Sequence, residues 1–227
     1  MHDCAATERV TTQRCIIFDL DGTLVDSEGL CNQAFLDLLP DLDTPLASLV
    51  AMHRGRKLAE ILADLSSALG RALPADFETR YRAHVAARFS EALHPMPGVR
   101  EMLRQLRDAR CVASSGPSAK IRQALSVSGL SSYFGEHVFS AYEVGSWKPD
   151  PGLFLHAADA MGFAPSCCVV VEDSEAGVLA ARAAGMDVVH LAPADSEPLK
   201  LGEWRIGHMS ELIALLETRA VRPRPEA

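Results

Sequence analysis

Two aspartates stand two positions apart directly after an apolar run, with Asp19 and Asp21 following residues 15–18 and preceding Gly22. Side chains two positions apart leave the end of a strand on a similar heading. Two such carboxylates repel each other unless they share a divalent cation. Gly22 permits a tight turn that brings backbone close to a ligand. The carboxylate pair and this turn together predict a metal-assisted site after the first strand.

Three further segments carry chemically useful side chains at comparable places. Ser114 ends an apolar run, Lys148 precedes a Pro-Asp-Pro turn, and Glu172 and Asp173 follow another apolar run. A serine hydroxyl can bond a phosphate oxygen, and a lysine supplies fixed positive charge for a phosphoryl group. Taken alone, each segment also has a purely structural interpretation. Ser114 could be an ordinary serine at a strand end, Lys148 part of a surface turn, and Glu172-Asp173 a helix cap. Oxygen-rich ligands without histidine favour Mg²⁺ over zinc.

Short β-rich runs recur along the chain, and helical patterns separate them. The predicted strands are residues 15–18, 111–113, 137–139, 167–171 and 187–191. Their apolar residues are continuous rather than alternating, as in strands buried on both faces. The order predicts an α/β fold with a doubly wound, Rossmann-like parallel sheet. Because carboxyl ends of parallel strands meet at one edge, we expect the polar segments to share one pocket.

Residues 28–93 interrupt the alternation of strands and helices, because they show helical patterns only, as at 57–69 and 77–89. A turn at 95–98 follows this segment. We therefore predict an α/β core formed by residues 1–27 and 94–227. A helical cap domain of residues 28–93 is inserted after the first strand, above the edge where α/β proteins bind ligands.

Four segments together resemble the motifs of the haloacid dehalogenase superfamily. The first motif is similar to residues 18–28, and the others, in order, to 112–116, 148–151 and 171–177. The resemblance spans residues 14–195. The helical insert resembles members whose cap follows the first motif, including β-phosphoglucomutases and sugar-phosphate phosphatases. Short matches near Ser115, Gly55, Lys120 and Trp147 look like the 6-phosphogluconate phosphatase branch.

The resemblance implies a Mg²⁺-dependent phosphomonoester hydrolase that works through an aspartyl-phosphate on Asp19. It also implies that Asp21 protonates the leaving alcohol as this intermediate forms and afterwards activates the water that hydrolyses it. The implied catalytic residues are Asp19, Asp21, Ser114 and Lys148. The implied metal residues are Asp19, Asp21, Asp173 and Glu172, with Glu172 either a ligand or a carboxylate just outside the ligands.

The cap sequence offers a cationic cluster, Arg54-Gly55-Arg56-Lys57, ahead of a predicted helix. These cations can reach an anionic group on the substrate, and the alternative is a solvated helix start. We predict that Arg54, Lys57 and Ser115 bind substrate, with Arg56 the weaker candidate. The expected substrate is a small sugar or sugar-acid phosphate, and 6-phosphogluconate is the first choice.

Three other functions share part of this pattern with the hydrolase. A β-phosphoglucomutase-like mutase would use the same aspartates, but such enzymes usually carry a histidine where this chain has Cys31, five residues after Asp26. A dehalogenase would lack the second aspartate. A non-catalytic phosphate-binding module is disfavoured because none of the four motifs is missing.

Composition limits the partners. The net charge of −8 on 227 residues disfavours nucleic acid. No apolar run approaches the roughly 20 residues that span a bilayer, and the polar first 13 residues lack a secretory layout. The cysteines at 4, 15, 31, 111, 167 and 168 form no C-x-x-C pair, which predicts free thiols. We expect a cytoplasmic monomer that acts on a small phosphorylated metabolite and touches neither nucleic acid nor membrane.

Overall fold

A six-stranded, all-parallel sheet forms the centre of the protein. The computed structural model describes residues 14–218; residues 1–13, with Cys4, and 219–227 lie outside that range. The strands are β1 (Cys15–Phe18), β2 (Ala109–Ser114), β3 (Val138–Ser140), β4 (Cys168–Glu172), β5 (Asp187–Leu191) and β6 (Trp204–Ile206). Their order is β3-β2-β1-β4-β5-β6. Strands β2 and β3 lie on one side of β1, and β4, β5 and β6 lie on the other. Because the strand order reverses its direction at β1, a ligand-binding crevice is expected beyond the carboxyl end of β1.

Helices cover both faces of the sheet, which confirms the predicted doubly wound fold. Ile16 and Phe18 of β1 pack into one apolar cluster, whereas Cys15 and Ile17 pack into the other. The first cluster contains residues of α5 (Val99–Gln105), α6 (Ser118–Val127) and α11 (Leu212–Thr218); the second contains residues of α9 (Gly152–Ala160) and α10 (Glu175–Ala183). Short helices α7 (Ser131–Phe134) and α8 (Ala141–Val144) flank β3. Successive residues of a strand face opposite sides, so continuous apolar runs supply both clusters.

Four helices lie between β1 and α5, where the sequence predicted only helices. They are α1 (Glu28–Leu38), α2 (Leu46–His53), α3 (Leu58–Ala68) and α4 (Phe77–Ala92). Phe35 of α1 stacks on Tyr81 of α4 with ring centroids 4.2 Å apart. Ile61, Val85 and Phe89 are buried in the first apolar cluster. The division into a core and a separate cap domain stays a prediction.

The structure adds three local details that the sequence patterns did not decide. Ser118 is the first residue of α6 after Pro117, and its hydroxyl donates to Glu143 instead of capping the helix. Strand β6 was not predicted because it has only three residues, two of them half-exposed, which is too short a run to recognise. By contrast, the Ser174 hydroxyl does cap α10, since it accepts from the backbone N–H of Gly177 at 3.1 Å.

Five of the six cysteines lie within residues 14–218. Cys15, Cys111 and Cys168 are buried, Cys31 and Cys167 are half-buried, and all five are free. The prediction of free thiols is therefore confirmed for them. Between Arg14 and Thr218, no helix is both long enough and apolar enough to cross a membrane.

Candidate active site

The predicted site residues line one cavity of about 340 Å³ at the carboxyl edge of the sheet. Asp19 follows β1, Ser114 ends β2, Glu172 ends β4 and Asp173 follows it. The remaining predicted residues that line the cavity are Asp21, Arg54, Lys57, Ser115 and Lys148. The convergence expected from parallel strands is thus observed, and it brings together residues that are far apart in sequence.

Lys148 holds two carboxylates at the base of this cavity. Its ammonium donates to Oδ1 of Asp19 and, at 2.6 Å, to Oε1 of Glu172. Only 6% of Asp19, 5% of Lys148 and 1% of Glu172 is exposed. Burial alone would lower the pKa of Lys148, but the two carboxylates outweigh it and raise that pKa. Burial raises the pKa of Asp19 to about 7, against the charge of Lys148.

Glu172 is fixed by protein donors on both of its oxygens. Besides Lys148, it accepts from the backbone N–H of Ser174 at 2.7 Å and from the Ser174 hydroxyl at 2.9 Å. Gly177 lies against the same carboxyl group, since a Cβ built on it would fall 1.9 Å from Cδ of Glu172. These contacts suit Glu172 better to positioning Lys148 than to binding an ion directly.

Asp173 is held next to the first motif. The Thr23 hydroxyl donates to Oδ1 of Asp173 at 3.3 Å, and His190 contacts its backbone oxygen through Nε2 at 3.2 Å. Gly22 has a φ of +75°, and a Cβ there would fall 2.3 Å from Oδ2 of Asp173. A residue without a side chain is therefore needed at Gly22 for both conformation and space. Burial, with the charges of Glu172 and Asp19, raises the pKa of Asp173 well above its usual value.

The donor chemistry at the base fits a hard divalent cation. Asp19, Glu172 and Asp173 are buried carboxylates, whereas Lys148 is the buried cation among them. Over residues 14–218, no three acidic, imidazole or thiol side chains form a ready-made metal cluster. Mg²⁺ does not require one, because it commonly binds through one or two carboxylates together with waters and substrate phosphate. Asp19 and Asp173 are the carboxylates that fit this role.

The Asp21 carboxylate lies apart from that set, although it was predicted as a metal residue. It accepts from the Lys120 ammonium at 2.8 Å on each oxygen and from the Ser27 hydroxyl at 2.5 Å. Burial would raise the pKa of Asp21, but Lys120 and Ser27 outweigh it and lower that pKa. Sequence reasoning did not assign Lys120 or Ser27 to the site, although both lie in or near the motif segments.

Two serines lie in the cavity wall at the carboxyl end of β2, Ser114 as its last residue and Ser115 directly after it. Ser114 is 1% exposed, and its Oγ accepts from the Gly116 N–H at 3.1 Å. Because this bond uses a lone pair, the hydroxyl hydrogen of Ser114 stays able to donate to a phosphate oxygen. Ser115 is half-buried in the cavity wall.

The cationic cluster ahead of α3 divides into three different environments. Arg54 donates to Glu28 from Nη2 at 2.5 Å and from Nε at 3.0 Å, and its Nε lies 3.5 Å from Oδ2 of Asp173. Arg56 pairs with Asp64 on α3 at 2.6 Å, as expected of a solvated helix start. Lys57 instead extends over the Trp147 ring, with Nζ 5.5 Å from its centroid.

An aromatic pair, Tyr142 and Trp147, borders the same cavity. Tyr142 meets Trp147 edge to face with centroids 5.3 Å apart. Arg82 of α4 donates to the Tyr142 hydroxyl at 2.9 Å. Sequence reasoning missed Arg82 and Tyr142, because a charged residue on an amphipathic helix looks like a solvated one.

Known proteins similar to this chain include haloacid dehalogenase-like proteins and sugar-phosphate phosphatases. The haloacid dehalogenase-like hydrolase family matches residues 13–185. The 6-phosphogluconate phosphatase of Escherichia coli is 35% identical over 178 residues, covering 77% of this chain and 80% of that protein. Hexitol phosphatase A of Escherichia coli is 33% identical, covering 82% and 88%. A haloacid dehalogenase-like protein from Agrobacterium tumefaciens superposes with a TM-score of 0.79 at 31% identity, covering 91% and 98%.

Proposed function

Since this chain belongs to the haloacid dehalogenase-like hydrolases and is a phosphatase, we propose that its substrate is a small sugar or sugar-acid phosphate. The proposal includes an aspartyl-phosphate on Asp19 and a requirement for Mg²⁺. The observation that carries it is the buried Asp19 carboxylate beside Lys148, at the base of a cavity that Ser114 and Asp21 also line.

In the first half of the proposed reaction, a carboxylate oxygen of Asp19 attacks phosphorus. The bond from phosphorus to the ester oxygen breaks, and a proton from Asp21 goes to the leaving alcohol. Ser114 donates to a phosphate oxygen, and Lys148 compensates the charge of the transferring group. Because Lys148 also binds Glu172, its ammonium stays in place when Asp19 carries the phosphoryl group.

In the second half, water attacks the aspartyl-phosphate. Asp21 takes the proton from the water, and the bond from phosphorus to Asp19 breaks to regenerate the carboxylate and release inorganic phosphate. The pKa of Asp21 is lowered by Lys120, so its carboxylate form is favoured for this step.

Bound Mg²⁺ would offset the repulsion between the Asp19 carboxylate and a phosphate dianion. Asp19 and Asp173 would hold it, and Glu172 would act through Lys148. The proposed role of Asp21 is proton transfer rather than metal binding by its carboxylate, because Lys120 and Ser27 occupy that group.

The proposal also covers the organisation of the chain. Residues 28–93 would act as a cap that closes over the substrate, supported by the four helices in this segment and by the cap residues in the cavity wall. The proposal includes a cytoplasmic location, which the free thiols of the described residues support, and a monomeric state.

The test is a screen of phosphorylated metabolites scored by release of inorganic phosphate. We expect the wild-type protein to release phosphate from sugar and sugar-acid phosphates, and Asp19→Asn to release none while keeping the same far-UV circular dichroism. Turnover of Asp19→Asn within about tenfold of wild type, a loss of only about 1.4 kcal/mol, would rule out Asp19 as the nucleophile. Interconversion of sugar phosphates that depends on a bisphosphate activator, without phosphate release, would identify the mutase instead.

A further inference from the structure

We propose that Lys57 and Arg82 form a subsite for a carboxylate at the far end of an open-chain sugar-acid phosphate. Trp147 and Tyr142 complete this subsite, and we refer to the four residues as the mouth cluster. The inference rests on the proposed function and deepens it, because it names the residues that distinguish a sugar acid from a neutral sugar phosphate.

The mouth cluster belongs to the active-site cavity but lies at its open end. All four residues line the same cavity as Asp19 and Lys148. The side chain of Arg82 is 31% exposed and Tyr142 is 46% exposed, whereas Asp19 at the base is 6% exposed. A substrate whose phosphate meets Asp19 would therefore extend its other end toward these residues.

Lys57 brings positive charge that is not already neutralised. Among residues 14–218 its ammonium forms no ion pair, and it lies over the Trp147 ring, 5.5 Å from the ring centroid. Hydrogen bonds from the Ser146 hydroxyl and the Gly152 N–H lower the pKa of Asp150, and the charge of Lys57 adds to this effect without a direct ion pair. Arg54, by contrast, is committed to Glu28 and Asp173. Lys57 is thus the better placed of the two predicted cations for a distal anion.

Arg82 adds a second cation from a different helix. It is 5.5 Å from the Tyr142 ring centroid and donates to the hydroxyl of that residue, while it shares its charge with Glu78 at 2.7 Å. With Arg82 partly neutralised, the mouth cluster offers about one uncompensated positive charge. One charge matches a carboxylate better than a second phosphate dianion.

Tyr142 and Trp147 provide the rest of the recognition surface. The Tyr142 oxygen accepts from Arg82, so its own hydroxyl hydrogen can donate to a ligand carboxylate. The edge-to-face pair presents apolar ring surface in a position to pack on the carbon chain between phosphate and carboxylate. Both cations lie on the helical insert and both aromatic residues on the β3–α9 segment, so a bound sugar acid would join the two segments.

The test compares two esters that differ only at the far end: 6-phosphogluconate, with a carboxylate, and sorbitol 6-phosphate, with a hydroxymethyl group. Arg82→Gln and Lys57→Gln should each lower kcat/KM for 6-phosphogluconate by about tenfold, mainly through KM, and sorbitol 6-phosphate by less than about threefold. Tyr142→Phe should act in the same direction with a smaller effect. Arg80→Gln removes the same charge from an exposed position of α4 outside the cavity lining and should change neither ester.

Binding of both esters to Asp19→Asn, measured by calorimetry with and without Arg82→Gln, gives a readout that does not depend on turnover. Selective loss of 6-phosphogluconate affinity supports the subsite. If both esters are hydrolysed and Arg82→Gln and Lys57→Gln weaken them equally, the subsite is overturned while the phosphatase proposal stands. If wild type releases phosphate from no sugar or sugar-acid ester, the proposed function fails and the inference fails with it.

Discussion

Lys120 donates to both carboxylate oxygens of Asp21, at 2.8 Å each, across 99 residues of sequence. This contact joins the start of α6 to the loop after β1 and keeps Asp21 as a carboxylate. The carboxylate is the form that accepts a proton from water in the second half of the proposed reaction. To donate a proton in the first half, Asp21 must lose the Lys120 contact and take up a proton from solvent or from the arriving phosphate ester before the alcohol leaves. An arriving substrate can replace the Lys120 contact.

Replacement of the Asp21 carboxylate by an amide should affect esters according to their leaving groups. We expect Asp21→Asn to lower kcat for sugar phosphates by about 10²–10⁴-fold, because an alcohol leaves poorly without a proton. The loss for p-nitrophenyl phosphate should be much smaller, since nitrophenolate leaves unaided. Steady-state rates for both esters measure the difference, and equal losses would count against the acid role of Asp21.

Removal of divalent cations should stop turnover, and Mg²⁺ should restore it. The physical reason is that the buried carboxylates of Asp19 and Asp173 would otherwise repel a phosphate dianion. Thermal unfolding gives a second readout: Mg²⁺ should raise the Tm of wild type but not of Asp173→Asn. Asp159→Asn, which removes an exposed carboxylate from α9, should keep the Mg²⁺ response. Full activity in exhaustively chelated buffer would refute the metal assignment.

A methyl group at Gly177 should disturb Glu172 and, through it, Lys148. The Cβ of Gly177→Ala would overlap the Glu172 carboxyl group, so we expect at least a tenfold loss of turnover and about 1–3 kcal/mol of destabilisation. Gly29→Ala is the matched control, because nothing lies within 4 Å of a Cβ at that helical position. It should leave turnover unchanged and stabilise the fold by up to about 1 kcal/mol. Equal behaviour of the two variants in turnover and chemical unfolding would contradict the close packing.

Asp37 should make the stability of the helical insert depend on acid pH. Burial opposes ionisation, but hydrogen bonds from His84, Gln33 and Arg88 outweigh it and lower the pKa of Asp37 to about 2. Because the folded pKa lies below the unfolded value of 3.8, the stabilisation is present above about pH 4 and is lost as pH falls toward 2. Since the side chain is partly exposed, we expect a contribution of about 1 kcal/mol.

Urea unfolding of Asp37→Asn against wild type measures this contribution. The difference in unfolding free energy should be constant above about pH 5 and shrink below about pH 4. The control is Asp41→Asn, whose side chain is 74% exposed in its pair with Arg71, and it should show little difference at any pH. A difference for Asp37→Asn that does not change with pH would contradict the pKa shift.

Most of the base of the site could be predicted from the sequence because its residues, apart from Lys148 in the α8–α9 loop, end or follow strands. Asp19, Ser114 and Glu172 follow or end continuous apolar runs, and parallel strands carry their carboxyl ends to one edge regardless of packing detail. The same argument predicted the doubly wound sheet. The argument did not predict β6, which is a three-residue edge strand with two half-buried residues and one buried residue.

Only the tertiary structure decided how the long side chains around this base are used. Arg54 and Lys57 are separated by two residues, yet one binds Glu28 and Asp173 while the other lies over Trp147. Arg82 looks like a solvated helix residue until packing brings Tyr142 within 2.9 Å of it. Strand ends are placed by backbone hydrogen bonds that follow local pattern, whereas the partner of a flexible cationic side chain depends on how separate helices pack.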